Sequence, residues 1–216
     1  MTNAVRKTEP WAAITPAVSF DDGQRYTYAD YKKWDDTVRR ELISGRVYMM
    51  SAPTGGHQGI SMEASRQFAN YLRGKPCRVF SAPYDVRLFA SPEGADDESD
   101  RDIVQPDISI ICDRKKRRPD GCHGAPDLIV EILSESNRSP DMLLKFNKYL
   151  EAGVREYWVI DPAEKILMVH TLDEKPEGNQ YYTTVYESAA KVKAGVLENC
   201  VIDLADVFAA GAEEAS

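Results

Sequence analysis

A chain of 216 residues with 43% hydrophobic content can bury a sizeable core, which excludes a disordered protein and suits one domain over residues 1–216. The formal charge of −8 and a pI near 5.0 weigh against broad, nonspecific adhesion to nucleic acid. No apolar run approaches the roughly 20 residues that span a bilayer, and the opening MTNAVRKTEPW lacks the apolar stretch of a signal peptide, so no membrane association and a cytoplasmic location are expected.

The termini, to about Val18 and from about Gly211, read as loose ends. Thr27 followed three residues later by Asp30 reads as a helix start. Val38 to Ile43 and Arg46 to Ser51, joined by Ser44-Gly45, read as a hairpin. After a Gly55-Gly56 break, Ile60, Ala64, Phe68 and Leu72 recur every fourth residue, which predicts a helix with one apolar stripe, stopped by Gly74 and Pro76. Short β-branched or aromatic runs predict strands at Arg78 to Ser81, Tyr84 to Phe89, Asp107 to Cys112 and Asp127 to Leu133. Ser139-Pro140-Asp141 opens a helix running to Ala152, where Gly153 takes the left-handed conformation that ends it. A strand at Glu156 to Asp161, an antiparallel pair at Lys165 to Thr171 and Gln180 to Glu187, and a closing helix at Asp203 to Ala209 complete the chain. This order implies an α/β fold, a mixed sheet flanked by helices with added antiparallel hairpins.

The four cysteines, Cys77, Cys112, Cys122 and Cys200, match no paired zinc-ligand spacing, and free thiols are expected. Cys122 beside His123 reads as a loop pair rather than a metal site. The acidic stretch Asp96, Asp97, Glu98, Asp100, Asp102 and the basic run Arg114, Lys115, Lys116, Arg117, Arg118 each read as a solvated loop.

Glu131 starts the functional argument because it interrupts Leu128-Ile129-Val130 and Ile132-Leu133, a run otherwise suited to full burial. Such a carboxylate must be paired, protonated, metal-bound or turned to a wet strand end, since an unpaired buried charge costs several kcal/mol or more. A salt bridge to a neighbouring arginine is one answer and a functional site the other. Asp107 heads a second apolar run, Ile108-Ser109-Ile110-Ile111. Two acids on neighbouring strands can converge on one divalent cation, and Mg²⁺ favours one or two carboxylates plus waters and phosphate oxygens. On the following helix Asp141, Lys145 and Tyr149 share a face at four-residue spacing, whereas Lys148 lies one position off it. Lys145 is then either the cation of the site or the exposed partner of Asp141.

These residues carry a resemblance to a known family, the bacterial Uma-two restriction endonucleases of the PD-(D/E)XK superfamily. The similarity runs from about Tyr28 to Phe208. It includes Arg40-Glu41-Leu42-Ile43-Ser44-Gly45, Ser51-Ala52-Pro53 before His57, Ser81-Ala82-Pro83-Tyr84-Asp85-Val86-Arg87-Leu88, and Gln105-Pro106-Asp107-Ile108-Ser109. Its most specific block is Gly124 to Ser134, followed by Asp141, Lys145, Tyr149, Gly153-Val154 and Glu156 to Pro162. The resemblance implies a restriction-endonuclease-like fold with Asp107 and Glu131 as the motif acids. The superfamily's lysine usually stands two residues after that glutamate, where this chain has Leu133, so the role passes to Lys145. Glu41, His57, Asp85 and Tyr149 are auxiliary candidates. Glu41 alternatively pairs with Arg39 or Arg46 across the hairpin, and His57 alternatively serves as a capping or core imidazole.

The expectation is a Mg²⁺- or Mn²⁺-dependent endonuclease acting on DNA. Asp107, Glu131 and the Ile132 carbonyl would hold the metal, Lys145 would orient water or stabilise the phosphate, and a homodimer would suit the cutting of two strands. The alternatives are a nucleic-acid-binding or dimerising module that does not cut and a two-carboxylate glycosidase.

Overall fold

The structure is a computed structural model that describes residues 23–34, 37–90, 98–134, 141–176 and 178–212. The Ser139-Pro140 helix opening, Asp96, Asp97 and the expected loose ends at 1–18 and 213–216 lie outside the described residues, as does the side chain of Asp141. A short helix α1 (Tyr28–Tyr31) begins where the Asp30 carboxylate accepts hydrogen bonds from the Thr27 backbone N–H at 3.0 Å and hydroxyl at 2.9 Å. The hairpin follows as β1 (Arg40–Ile43) and β2 (Arg46–Met49), turned by Ser44 and Gly45 at φ of 52° and 75°. This is the two-residue geometry that needs positive φ. Next come α2 (Gly55–Leu72), β3 (Arg78–Ser81), β4 (Val86–Arg87), β5 (Ile103–Val104), β6 (Ile108–Ile111), a 3₁₀ turn at Arg114–Lys116, β7 (Arg117–Arg118), β8 (Gly121–His123) and β9 (Leu128–Ile132). The chain continues through α3 (Asp141–Ala152), β10 (Glu156–Asp161), β11 (Ile166–Asp173), β12 (Gln180–Glu187), β13 (Lys191–Lys193), β14 (Val201–Asp203) and α4 (Leu204–Ala210).

The central sheet has the order β12-β11-β10-β9-β6-β3, in which β9 and β10 are parallel and joined through α3, while the other pairs are antiparallel. Every residue of β9 and β10 is buried because both faces are covered. One face packs Leu128, Val130, Ile132, Trp158 and Ile160 against Ile60, Ala64, Phe68 and Leu72 of α2, the stripe expected from the four-residue spacing. The other packs Ile129, Tyr157 and Val159 against Tyr149 of α3 and against Val86, Val104 and Cys122 of a second sheet, ordered β2-β1-β5-β4-β8-β7.

Several expectations need correction. Gly55 and Gly56 begin α2 rather than break the chain before it. A Cβ on Gly59 would lie 1.9 Å from the Ala210 carbonyl oxygen and one on Gly56 2.8 Å from that of Gly211, so the glycines let the end of α4 close on α2. Gly211, read as the start of a loose tail, is therefore packed, against Ile60 and Gly56. The strand expected over Tyr84 to Phe89 is only Val86–Arg87, and the hairpin β13–β14 was not foreseen.

Cys77 and Cys112 are not free thiols: they form a disulfide. The antiparallel register of β3 and β6 pairs Arg78 with Ile111, which brings the residues just beyond them face to face. Cys122 and Cys200 are free and buried. Nor is the acidic stretch wholly a solvated loop. Asp100 forms an ion pair with the fully buried Arg87 at 2.5 Å, Asp102 accepts from the Ser44 N–H at 2.7 Å, and Glu98 pairs with Lys32. No helix among the described residues is long and apolar enough to cross a membrane.

Candidate active site

The register of β6 against β9 pairs Ile108 with Val130 and Ser109 with Ile129, so the next step places Asp107 opposite Glu131. Directly opposed residues hold their Cβ atoms about 4.5–5.5 Å apart. The two acids therefore meet at one end of the central sheet, with α2 and α3 each contributing a side chain. His57, in the first turn of α2, reaches Asp107 with Nε2 at 3.3 Å from Oδ2, the same oxygen that accepts the Ile132 backbone N–H at 2.8 Å. The Thr54 hydroxyl caps this turn by accepting from the His57 N–H.

From α3, Lys145 donates to Glu131 Oε1 at 3.0 Å and lies 2.8 Å from Glu41 Oε1, while the Tyr149 hydroxyl donates to Glu131 Oε1 at 2.7 Å. The exposed Asp141–Lys145 alternative fails for this reason: Lys145 is buried, held inward by two carboxylates. Glu131 has a lysine partner rather than the arginine considered from sequence. Glu41 pairs with neither Arg39 nor Arg46. It stands opposite Tyr48 on the hairpin and accepts the Gln105 N–H at 2.7 Å in addition to its contact with Lys145. Asp85 lies one step further out, with Oδ1 accepting from Gln105 Nε2 at 2.8 Å and from the Tyr31 hydroxyl at 3.1 Å. Gln105 was missed as a supporting residue, although it opens the block Gln105 to Ser109 that contains Asp107. Lys148 faces elsewhere, toward Asp102 at 3.4 Å and Glu151 at 3.2 Å. Leu133, at the superfamily's usual lysine position, is buried in the apolar layer beneath α3.

Burial pushes the Glu131 carboxyl up to about 7; Lys145 opposes that rise, and the neighbouring Asp107 and Glu41 add to it. Burial alone would lower the Lys145 ammonium, but the charges of Glu131 and Glu41 outweigh it and raise the group above its ordinary range. Burial, with Glu131 and Glu41, holds Tyr149 far above the usual phenol range, so it stays a donor. For His57 burial pulls down, and the hydrogen bond to Asp107, that carboxylate's charge, the Ile132 carbonyl and Glu131 together win, raising the imidazole.

Among the described residues, the hydrogen bonds to the two side-chain carboxylates go to Asp107 Oδ2 and Glu131 Oε1. Among the described residues this leaves one oxygen of each carboxylate without a hydrogen-bond partner, on side chains that remain 14% and 12% exposed. No group of three His, Cys, Asp or Glu side chains among the described residues is arranged to hold a metal. The groups expected from sequence to hold a metal, the two carboxylates and the Ile132 carbonyl, offer oxygen donors alone, the chemistry that hard divalent cations prefer. Cys122 and His123 do not join them. They form buried strand β8 rather than a loop, and His123 Nε2 lies 3.1 Å from Asp120 and 3.3 Å from Arg87.

Over 122 residues, 56% of this chain, the sequence is 27% identical to the uncharacterized protein slr1290 of Synechocystis sp., and the match spans 60% of that protein's length. A crystal structure from Anabaena variabilis, described as "a putative nuclease belonging to DUF820", covers 86% of this chain and 99% of its own with a TM-score of 0.66 at 21% identity. That likeness bears out the expected mixed α/β fold, a sheet flanked by helices. A family model, Uma2, described as "Putative restriction endonuclease", matches residues 28–204, and the chain belongs to that family.

Proposed function

We propose that this protein is a divalent-metal-dependent endonuclease that hydrolyses DNA phosphodiester bonds. In this reading Asp107, Glu131 and the Ile132 carbonyl hold Mg²⁺ or Mn²⁺, and Lys145 is the cation beside the attacking water. The observation that carries it is the opposition of Asp107 and Glu131 on adjacent strands with Lys145 reaching the pair from α3. The free carboxylate oxygens and the oxygen-only donor set fit such a cation. When bound, the metal supplies acidification of a water and stabilisation of charge on the phosphate.

The chain's own residues orient these groups. The Ile132 N–H and the imidazole of His57 fix Asp107, and the Tyr149 hydroxyl fixes Glu131. An ammonium has three N–H donors; Glu41 and Glu131 take two from Lys145, and the third serves the attacking water or a phosphate oxygen. Two such sites in a homodimer would address both strands of a duplex.

The test incubates purified protein with supercoiled, linear and single-stranded DNA, with Mg²⁺, Mn²⁺ or a chelator. Cleavage that vanishes with the chelator is expected, and equal cleavage without metal overturns the mechanism. Binding without cutting in any metal would mark a docking module, and metal-independent turnover of a glycoside would mark the two-carboxylate glycosidase.

A further inference from the structure

Five consecutive cations, Arg114 to Arg118, stand in a chain whose net charge is −8. The fold sorts them. Asp113 caps their turn by accepting the Lys115 N–H at 2.9 Å, and Lys116 bends inward to donate to the Ala125 carbonyl at 2.7 Å. Arg114, Lys115 and Arg118 remain exposed. Arg117, half-buried opposite Cys122, keeps a buried Nε with no hydrogen-bond partner. Strand β7, which carries Arg117 and Arg118, is the outermost strand of its sheet.

Tyr84 connects this edge to the candidate active site. Its ring stacks on Phe80 at 4.2 Å and 10°. On one side of it the Ala82 N–H donates to the Asp107 carbonyl at 3.1 Å; on the other the Asp85 carbonyl accepts the Cys122 N–H at 2.8 Å, which ties the segment to β8 beside β7. Tyr84 and Phe80 pack against the buried cluster that contains Cys122, and Cys122 stands opposite Arg117 in the β7–β8 register.

We propose that the Arg114–Arg118 edge and the Tyr84–Phe80 stack form a nucleic-acid docking surface, on which the exposed cations take backbone phosphates and Tyr84 takes a base. The proposal rests on the nuclease reading of the Asp107–Glu131 site, to which Ala82 joins it. Guanidinium forks match phosphate oxygens, and an aromatic face stacks bases without regard to sequence. A local basic edge on an acidic chain also orients the strand, because the remainder of the surface repels it.

The experiment measures fluorescence anisotropy of a short labelled DNA single strand and of its duplex, in chelator, over a range of KCl. Combining Arg114→Ala, Lys115→Ala and Arg118→Ala should weaken binding at least about tenfold and reduce the slope of log K against log salt by roughly 3, one for each lost phosphate contact. Tyr84→Ala should weaken single-strand binding roughly tenfold with the salt slope unchanged. Lys191→Ala with Lys193→Ala, on β13, should alter neither. The three basic side chains are exposed; a thermal melt of the triple variant beside wild type confirms that it is folded, and it carries the test alone if Tyr84→Ala does not fold. Wild-type affinity and slope in the triple variant, or no nucleic-acid binding by wild type, overturns the proposal. Binding through this edge without cleavage in Mg²⁺ refutes only the nuclease reading, whereas undiminished cleavage and binding by the triple variant refutes only the docking surface.

Discussion

Replacing Glu131 by glutamine removes a charge that the metal-free fold disfavours. Its carboxyl is raised from the ordinary 4.5 to about 7. At about 1.4 kcal/mol per pH unit, that span corresponds to on the order of 3 kcal/mol. Between these two pH values the native protein holds a proton that the unfolded chain has released, so wild-type stability falls as pH rises from 4.5 to about 7 and levels off above. Glu131→Gln has no such proton. Its stability relative to wild type should therefore improve by roughly 3 kcal/mol between about pH 5 and about pH 8. The variant does not strand Lys145, because Glu41 stays 2.8 Å from the ammonium. Urea denaturation of both proteins in chelator across this range measures the difference directly. Added Mg²⁺ or Mn²⁺ should then raise the stability of wild type by mass action and that of the variant much less. Parallel pH dependences would refute the argument. A loss of several kcal/mol in the variant at every pH, unaltered by metal, would instead make Glu131 a structural partner of Lys145.

Lys145→Ala should abolish most DNA cleavage and, by leaving Glu41 and Glu131 buried without their cation, cost about 3–5 kcal/mol of metal-free stability. Lys148→Ala should be mild in both assays, since Lys148 faces Asp102 and Glu151; the opposite ranking in cleavage and melting would show the wrong lysine was chosen. Gly59→Ala drives a methyl into the Ala210 carbonyl and should destabilise by about 1–3 kcal/mol in thermal or chemical melts. Gly55→Ala, where a Cβ meets nothing within 4 Å, should be neutral or slightly stabilising, and equal behaviour of the two alanines would discount the helix contact.

Sequence served best where one physical cause dominates. The stripe Ile60, Ala64, Phe68 and Leu72 was readable because one helix face packs on one sheet face, and Ser44-Gly45 because a two-residue turn demands positive φ. Strands β5, β7 and β8 were not, since two or three residues show no alternation and the neighbouring strands, not local propensity, hold them extended. The Cys77–Cys112 pair depends on a register across 35 positions, which spacing alone does not reveal. Within the site, Asp107 and Glu131 stood out as carboxylates attached to apolar strands. The inward turn of Lys145 did not, because it depends on Glu41 arriving from a different sheet. A lysine at helical spacing from an acid ordinarily stays at the surface, and here two carboxylates reverse that balance.

The glycine contact between α2 and the end of α4 bears on the order in which the protein is made. Gly59 and Ala210 are 151 positions apart, yet they meet beside the helix turn that presents His57 to Asp107. On a ribosome, α2, Asp107 and Glu131 emerge long before the segment that braces α2, so the His57 turn stays unbraced until residue 211 is free of the synthesis machinery. A bulky fusion joined directly after Ala210 would press on that turn in the same way that a stalled chain would deprive it of support.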